Sequence, residues 1–167
     1  MSTGGLGTVM AVCSAVVWAL AAFGKFAHRA ETAAAFSGLG LRGAPALAVA
    51  VPAAELATAA ALLVRPQVGA AIGLALLAVF TGVIVRALAH GVETGCGCFG
   101  SRRPSPLGPA DVVRNALLAA FAVVATGAHR LVAPSAGDVV VGVVLVIVAA
   151  TVLGVAQHRL APTARAR

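Results

Sequence analysis

Five apolar runs dominate this 167-residue chain. Each is close to the roughly twenty residues that cross a bilayer as a helix. They cover about Thr8 to Phe26, Ala46 to Val64, Val68 to Ala89, Pro109 to Ala128 and Val139 to Ala156. Inside lipid, backbone N–H and C=O groups have no water to bond, so a run of this length must be helical. Composition agrees: 60% of residues are hydrophobic and 10% charged, where soluble domains carry about a quarter charged. An ordinary soluble enzyme and a disordered chain are both excluded. The fold expected is an all-α, polytopic membrane helix bundle, with the lipid bilayer as its first partner. The spans leave no room for a second soluble domain.

The first run lacks a basic leading segment and a small-x-small cleavage site, so it reads as a span and not as a signal peptide. Arg65-Pro66-Gln67 is a tight turn, which makes the second and third spans antiparallel neighbours. Pro109 suits the first turn of the fourth span. Two connections are longer. Residues 27–45 contain a short interfacial helix over Glu31 to Phe36, closed by Gly38 and Gly40. Residues 90–108 form a loop rich in Gly, Pro, Ser and Arg. Gly69-Ala70-Ala71-Ile72-Gly73 is a GxxxG pattern that lets helices approach closely, read here as packing within the bundle. Residues 1–128 then form a four-helix core, and residues 129–167 a fifth transmembrane helix with a basic tail.

The net charge of +7 comes from twelve basic and five acidic residues. On a soluble chain it would suggest nucleic acid. Here the basic residues fall between spans, and with six Phe, one Trp and no Tyr there is no stacking platform for bases. No nucleic-acid partner is expected. Lys25, Arg29, Arg42, Arg86, Arg102, Arg103, Arg114, Arg159, Arg165 and Arg167 lie toward one face, against Arg65 and Arg130 toward the other. The positive-inside rule puts the rich face in the cytoplasm, hence the N-terminus out, the C-terminus in and the 90–108 loop inside.

Three cysteines are too few for a disulfide scaffold. Two of them, Cys96 and Cys98, sit in Gly95-Cys96-Gly97-Cys98-Phe99-Gly100. A disulfide between them closes a small ring of tight geometry, and Gly97 eases it by lacking a Cβ. Strained, exposed disulfides are readily reduced and tend to be exchanging ones. Arg102 and Arg103 nearby favour the thiolate. Two other readings stand beside thiol–disulfide exchange. The pair can be reduced loop cysteines without a role. Alternatively, with His90 it can hold a soft ion such as Cu(I) or Zn²⁺, although a closed zinc site needs a fourth ligand. Cys13, near the far end of the first span, is a packing residue.

Glu55 is the one acidic residue near the middle of a span. Burying it unpaired is costly, so it faces the bundle interior with a partner. Lys25, at the end of span one, and Arg114, a turn into span four, are both within reach. Asn115 can extend the network. The cluster is either functional or an ion pair that sets helix packing.

Gly24-Lys25, Pro52 with Glu55, the Cys96-to-Gly100 run and Arg114-Asn115 fall in an order that resembles MauE, the methylamine utilisation membrane protein family, within the wider DoxX-like group. The resemblance covers about residues 8–128, and the Cys-Gly-Cys-Phe-Gly run is its most specific part. It implies a four-helix bundle of a bacterial cell membrane that works with a thioredoxin-like partner on disulfides, as in the maturation of methylamine dehydrogenase or of another envelope redox protein. The bundle is also similar to the vitamin K epoxide reductase type, which passes electrons from a cysteine pair to a quinone. This chain has Cys-x-Cys in place of Cys-x-x-Cys and no second pair, so no cofactor is expected for it alone. Disulfide formation belongs outside the membrane, whereas the charge bias places the pair inside, where receiving electrons from a thioredoxin-like reductant is the more natural role. The expected function is a membrane thiol–disulfide redox protein. A non-catalytic scaffold subunit and a soft-metal binder are the alternatives, and a homo-oligomer is compatible with all three.

Overall fold

The structure is a computed structural model that describes residues 3–91, 108–128 and 131–160. Within them are six helices: α1 Thr3–Ala27, α2 Arg29–Gly38, α3 Ala44–Val64, α4 Pro66–Ala89, α5 Pro109–Ala125 and α6 Ala136–Leu160. The described residues contain no strand. Four helices, α1, α3, α4 and α6, are long and apolar enough to cross a membrane. The run at 109–128 yields a shorter helix than the sequence suggests. α5 has 17 residues, about 25 Å at 1.5 Å per residue. It stops where the Thr126 hydroxyl donates to the Val123 carbonyl at 2.6 Å, ahead of Gly127.

Local chemistry sets most helix ends. The expected interfacial helix at Glu31–Phe36 is longer by about a turn. It closes on Gly40 at φ +73°, with Gly40 N–H donating to the Ser37 carbonyl at 2.9 Å and Leu41 N–H to the Phe36 carbonyl at 3.0 Å. That paired capping by a left-handed residue satisfies carbonyls which the helix end leaves open. α3 and α4 are joined by Arg65 alone, in an extended conformation, and Pro66 opens α4. Proline is well placed there because a first-turn residue needs no N–H donor. Asp111 accepts from the Gly108 N–H at 3.1 Å at the head of α5. At the head of α6, Ser135 and Asp138 cap each other, the Asp138 carboxylate accepting from the Ser135 N–H at 3.0 Å and the Ser135 Oγ from the Asp138 N–H at 3.2 Å.

α1 is the most buried of the candidate spans and α6 the least. α1 packs against α3 and α5, α3 against α4, and α4 against α5. Contacts fix the antiparallel order. The start of α1 meets the end of α5, where a Cβ on Gly7 would lie 2.7 Å from the Ala128 nitrogen. Gln67, opening α4, donates to the Thr126 carbonyl at 3.1 Å. α6 rests on the start of α1 through Gly142 against Val9. The buried core is built from small residues, Ala11, Ala15, Ala59, Ala70, Ala122 and Ala125, around Met10, Trp18, Leu62 and Leu77. Lipid supplies no hydrophobic drive between helices, so close approach and dispersion must do the work.

The GxxxG pattern serves this packing, as the sequence suggests. A Cβ on Gly69 would lie 2.6 Å from Leu62 Cα and 2.7 Å from the Ala61 carbonyl carbon, while Gly73 faces Trp18 and Thr58. Gly82, on the same helix, has nothing within 4 Å. Gly69→Ala therefore forces the α3–α4 hairpin apart and should lower stability by about 1–3 kcal/mol, read as a depressed melting temperature in detergent. Gly82→Ala should leave it unchanged; equal effects at both sites would refute the packing role.

Candidate functional site

The polar cluster draws on three helices. Lys25 is in the last turn of α1, Glu55 is midway along α3, and Arg114 and Asn115 lie in the second turn of α5. Lys25 Nζ donates to both carboxylate oxygens of Glu55, at 2.7 Å and 2.9 Å. The two residues are only 3% and 2% exposed, so the pair is sealed within the bundle. A buried charge requires such a partner because the alternative is an uncompensated ion in a medium of low dielectric. Of the two partners the sequence offers, Lys25 makes the direct ion pair with Glu55. Arg114 pairs with Asp111, one turn earlier on its own helix, at 3.1 Å. It also faces the cavity that Lys25 and Glu55 face.

Asn115 is buried and donates from Nδ2 to the Thr81 hydroxyl oxygen on α4 at 3.1 Å. It thus ties α5 to α4 and does not extend the Lys25–Glu55 pair by a direct bond. Thr32, on α2, donates to the His28 carbonyl at 2.9 Å and approaches the Lys25 carbonyl at 3.5 Å, which anchors α2 to the end of α1. Pro52 is buried inside α3, a turn before Glu55. It removes the N–H that would bond the carbonyl four residues back, a defect tolerated where neighbouring helices cover it.

A cavity of about 230 Å³ opens beside the cluster. Lys25, Glu55, Arg114 and Asn115 line one end of it. The remaining wall is apolar, with Val17, Trp18 and Ala21 of α1, Phe36 of α2, Leu47 and Val51 of α3, Leu77, Phe80, Val83 and Ile84 of α4, and Leu118 of α5. Leu39 and Leu41, from the turn after α2, complete it. Trp18 and Phe80 pack with centroids 6.3 Å apart and planes tilted by 46°.

Sequence reasoning reached the four charged and amide groups through their rarity in apolar runs. It missed the cavity and the aromatic wall, since neither has a local signature. It also missed Thr81, whose only signal is a hydroxyl in an otherwise apolar stretch. Cys96, Gly97, Cys98, Phe99, Gly100, Arg102 and Arg103 lie outside the described residues. His90, the third ligand of the metal reading, is described. It is exposed and donates from Nδ1 to the Arg86 carbonyl at 2.8 Å. Among the described residues no three His, Cys, Asp or Glu side chains are grouped as a metal site would require. Cys13 is a half-buried free thiol on α1, about 18 Å along the axis from Lys25 at 1.5 Å per residue.

Four helices long and apolar enough to cross a membrane, held around a buried ion pair, define a multi-pass helical membrane protein with a polar site inside its bundle. The family described as methylamine utilisation protein MauE matches residues 4–128, and the chain belongs to that family. No curated protein and no solved structure matches it. The match ends just after α5, and α6 lies outside it.

Removing one partner of a buried ion pair costs about 3–5 kcal/mol, whereas replacing both by apolar groups is often neutral. Glu55→Leu and Lys25→Met should each depress the melting temperature in detergent strongly, and the double variant should recover most of the loss. A double variant as unstable as the singles would show that the pair does not govern this contact.

Proposed function

We propose that the chain is a membrane thiol–disulfide redox protein in which Cys96 and Cys98 exchange with a thioredoxin-like partner. The observation that carries this reading is the placement, along the chain, of the Cys-Gly-Cys run between α4 and α5. Those helices meet beside the polar cluster, through the Thr81–Asn115 bond. Membership of the MauE family supports it further. In the exchange, a thiolate of the pair attacks one sulfur of the partner's disulfide and forms a mixed disulfide. The second cysteine then attacks that bond, leaving a Cys96–Cys98 disulfide and a partner dithiol, and the reverse reaction runs by the same steps. Arg102 and Arg103 favour the attacking thiolate.

The proposed membrane arrangement has five spans, with α5 crossing at the short end of the range. The N-terminus is out and the C-terminus in, in a bacterial cell membrane, following the excess of Lys and Arg on one face. The family's name carries methylamine utilisation. For this chain the proposed setting is the maturation of methylamine dehydrogenase or of another envelope redox protein.

Two measurements test the reading. A Cys98→Ser or Cys96→Ser variant should trap, or fail to resolve, a mixed disulfide with a thioredoxin-fold protein on non-reducing gels, and the double variant should lose the adduct. A double variant that still supports its partner would mark a scaffold role instead. In intact cells, a membrane-impermeant thiol reagent should leave Cys96 and Cys98 unlabelled until the membrane is permeabilised. Labelling without permeabilisation would reverse the proposed orientation.

A further inference from the structure

The cavity beside the Lys25–Glu55 pair is long, narrow and open to the side. Its lining runs from Leu77 to Ile84 on α4 and from Val17 to Lys25 on α1, about 10–12 Å of helix axis at 1.5 Å per residue. A volume of about 230 Å³ spread over that length leaves a mean cross-section of roughly 20 Å². One file of carbon atoms at their ~3.5–4.0 Å contact distance fills such a channel. The end toward α2 is closed. Phe36 is buried there, and Leu39 packs against Ile84 and Ala87. The side is open at Val79, which lines the cavity and is 61% exposed. Val79 stands about 15 Å from the nearer end of α4, a helix long and apolar enough to span. At that depth the mouth faces hydrocarbon and not water.

The apolar length of the cavity does not hold water, which needs polar partners. What meets its mouth in a bilayer is the acyl chains of lipid. The walls suit them: Val17, Val51, Leu77, Val83 and Leu118 are aliphatic, and Trp18 and Phe80 add two rings. Lys25, Glu55, Arg114 and Asn115, at one end, are each bonded within the protein. An occupant of carbon and hydrogen alone asks nothing further of them. A helix of a partner protein does not fit, being about 10 Å across with its side chains.

We propose that this slot holds one acyl chain of a bilayer phospholipid, which enters past Val79 and lies along α1 and α4 against Trp18. The chain completes, by dispersion contacts, the packing that a bundle of small residues leaves open, and it keeps water from the Lys25–Glu55 pair. The site stands on the described helices and not on the cysteine pair, so failure of thiol exchange leaves it intact.

Trp18 is the chain's sole tryptophan and there is no tyrosine, so the emission reports this wall alone. It is 6% exposed, so a quencher that works by contact reaches it from within the slot and not from the lipid around the bundle. Full-length protein is placed in nanodiscs of a phospholipid brominated along its acyl chains, and in nanodiscs of the unbrominated parent lipid. The brominated chains should lower Trp18 emission at least twofold. Ala21→Leu and Leu118→Phe fill the slot from α1 and α5, and each should restore most of the emission. Val51→Leu, a change of one carbon, should restore part of it. Melting temperatures read alongside show which variants keep their fold, and those decide the result. Equal emission in the two bilayers overturns the site, as does quenching that every folded variant leaves unchanged. Quenching by a brominated free fatty acid in the parent bilayer, with none from the brominated phospholipid, overturns the phospholipid as the source.

Discussion

The bundle depends on one interaction, the sealed ion pair between Lys25 and Glu55. A lone charge at that depth would be expelled or neutralised, so once both residues are placed in apolar helices they must find each other. That requirement sets the rotation of α1 about its axis and that of α3, because both side chains must point to the shared interior. It also sets how far α1 slides along α3. Helices that lipid would otherwise solvate equally well on every face acquire one arrangement that is clearly better than the rest.

Around this pair, packing is a matter of size. Gly69 lets α4 rest on the backbone of α3 near Leu62, Gly7 admits the turn after α5, and Gly142 admits Val9. Alanines fill most of the remaining interface. A bundle built this way has close backbones and few large side chains to plug gaps, so the volume beside Trp18 and Phe80 stays open. Three of its aromatic residues, Trp18, Phe36 and Phe80, border that space.

A good part of this was legible in the chain. Four of the five apolar runs become helices long enough to span and the run at 109–128 a shorter one, with the starts of α4 and α5 set by Pro66 and Pro109 for reasons visible in the sequence. Glu55 announces itself as an acid in an apolar run, and Lys25 and Arg114 follow as the basic groups within reach. The choice between them was not legible. Arg114 pairs with Asp111 on its own helix, and no pattern in the chain records which acid each basic group takes. Asn115 was legible as a polar interior residue, but its partner Thr81 was not, since a threonine in a helix can equally bond its own backbone, as Thr58 does to the Ala54 carbonyl.

By itself the sequence determined that the chain is a helical membrane protein, roughly where its helices begin and end, and which few residues cannot be left facing lipid. These follow from local physics: the cost of bare backbone and bare charge in hydrocarbon is the same whatever the helices pack against. Only the tertiary structure decided that Lys25 is the partner of Glu55, that Asn115 bonds Thr81, and that Trp18, Phe36 and Phe80 come together around a cavity. Those facts depend on how helices far apart in the chain are rotated and offset. That is settled by summed packing and by charge pairing across the bundle, neither of which leaves a trace in any one segment.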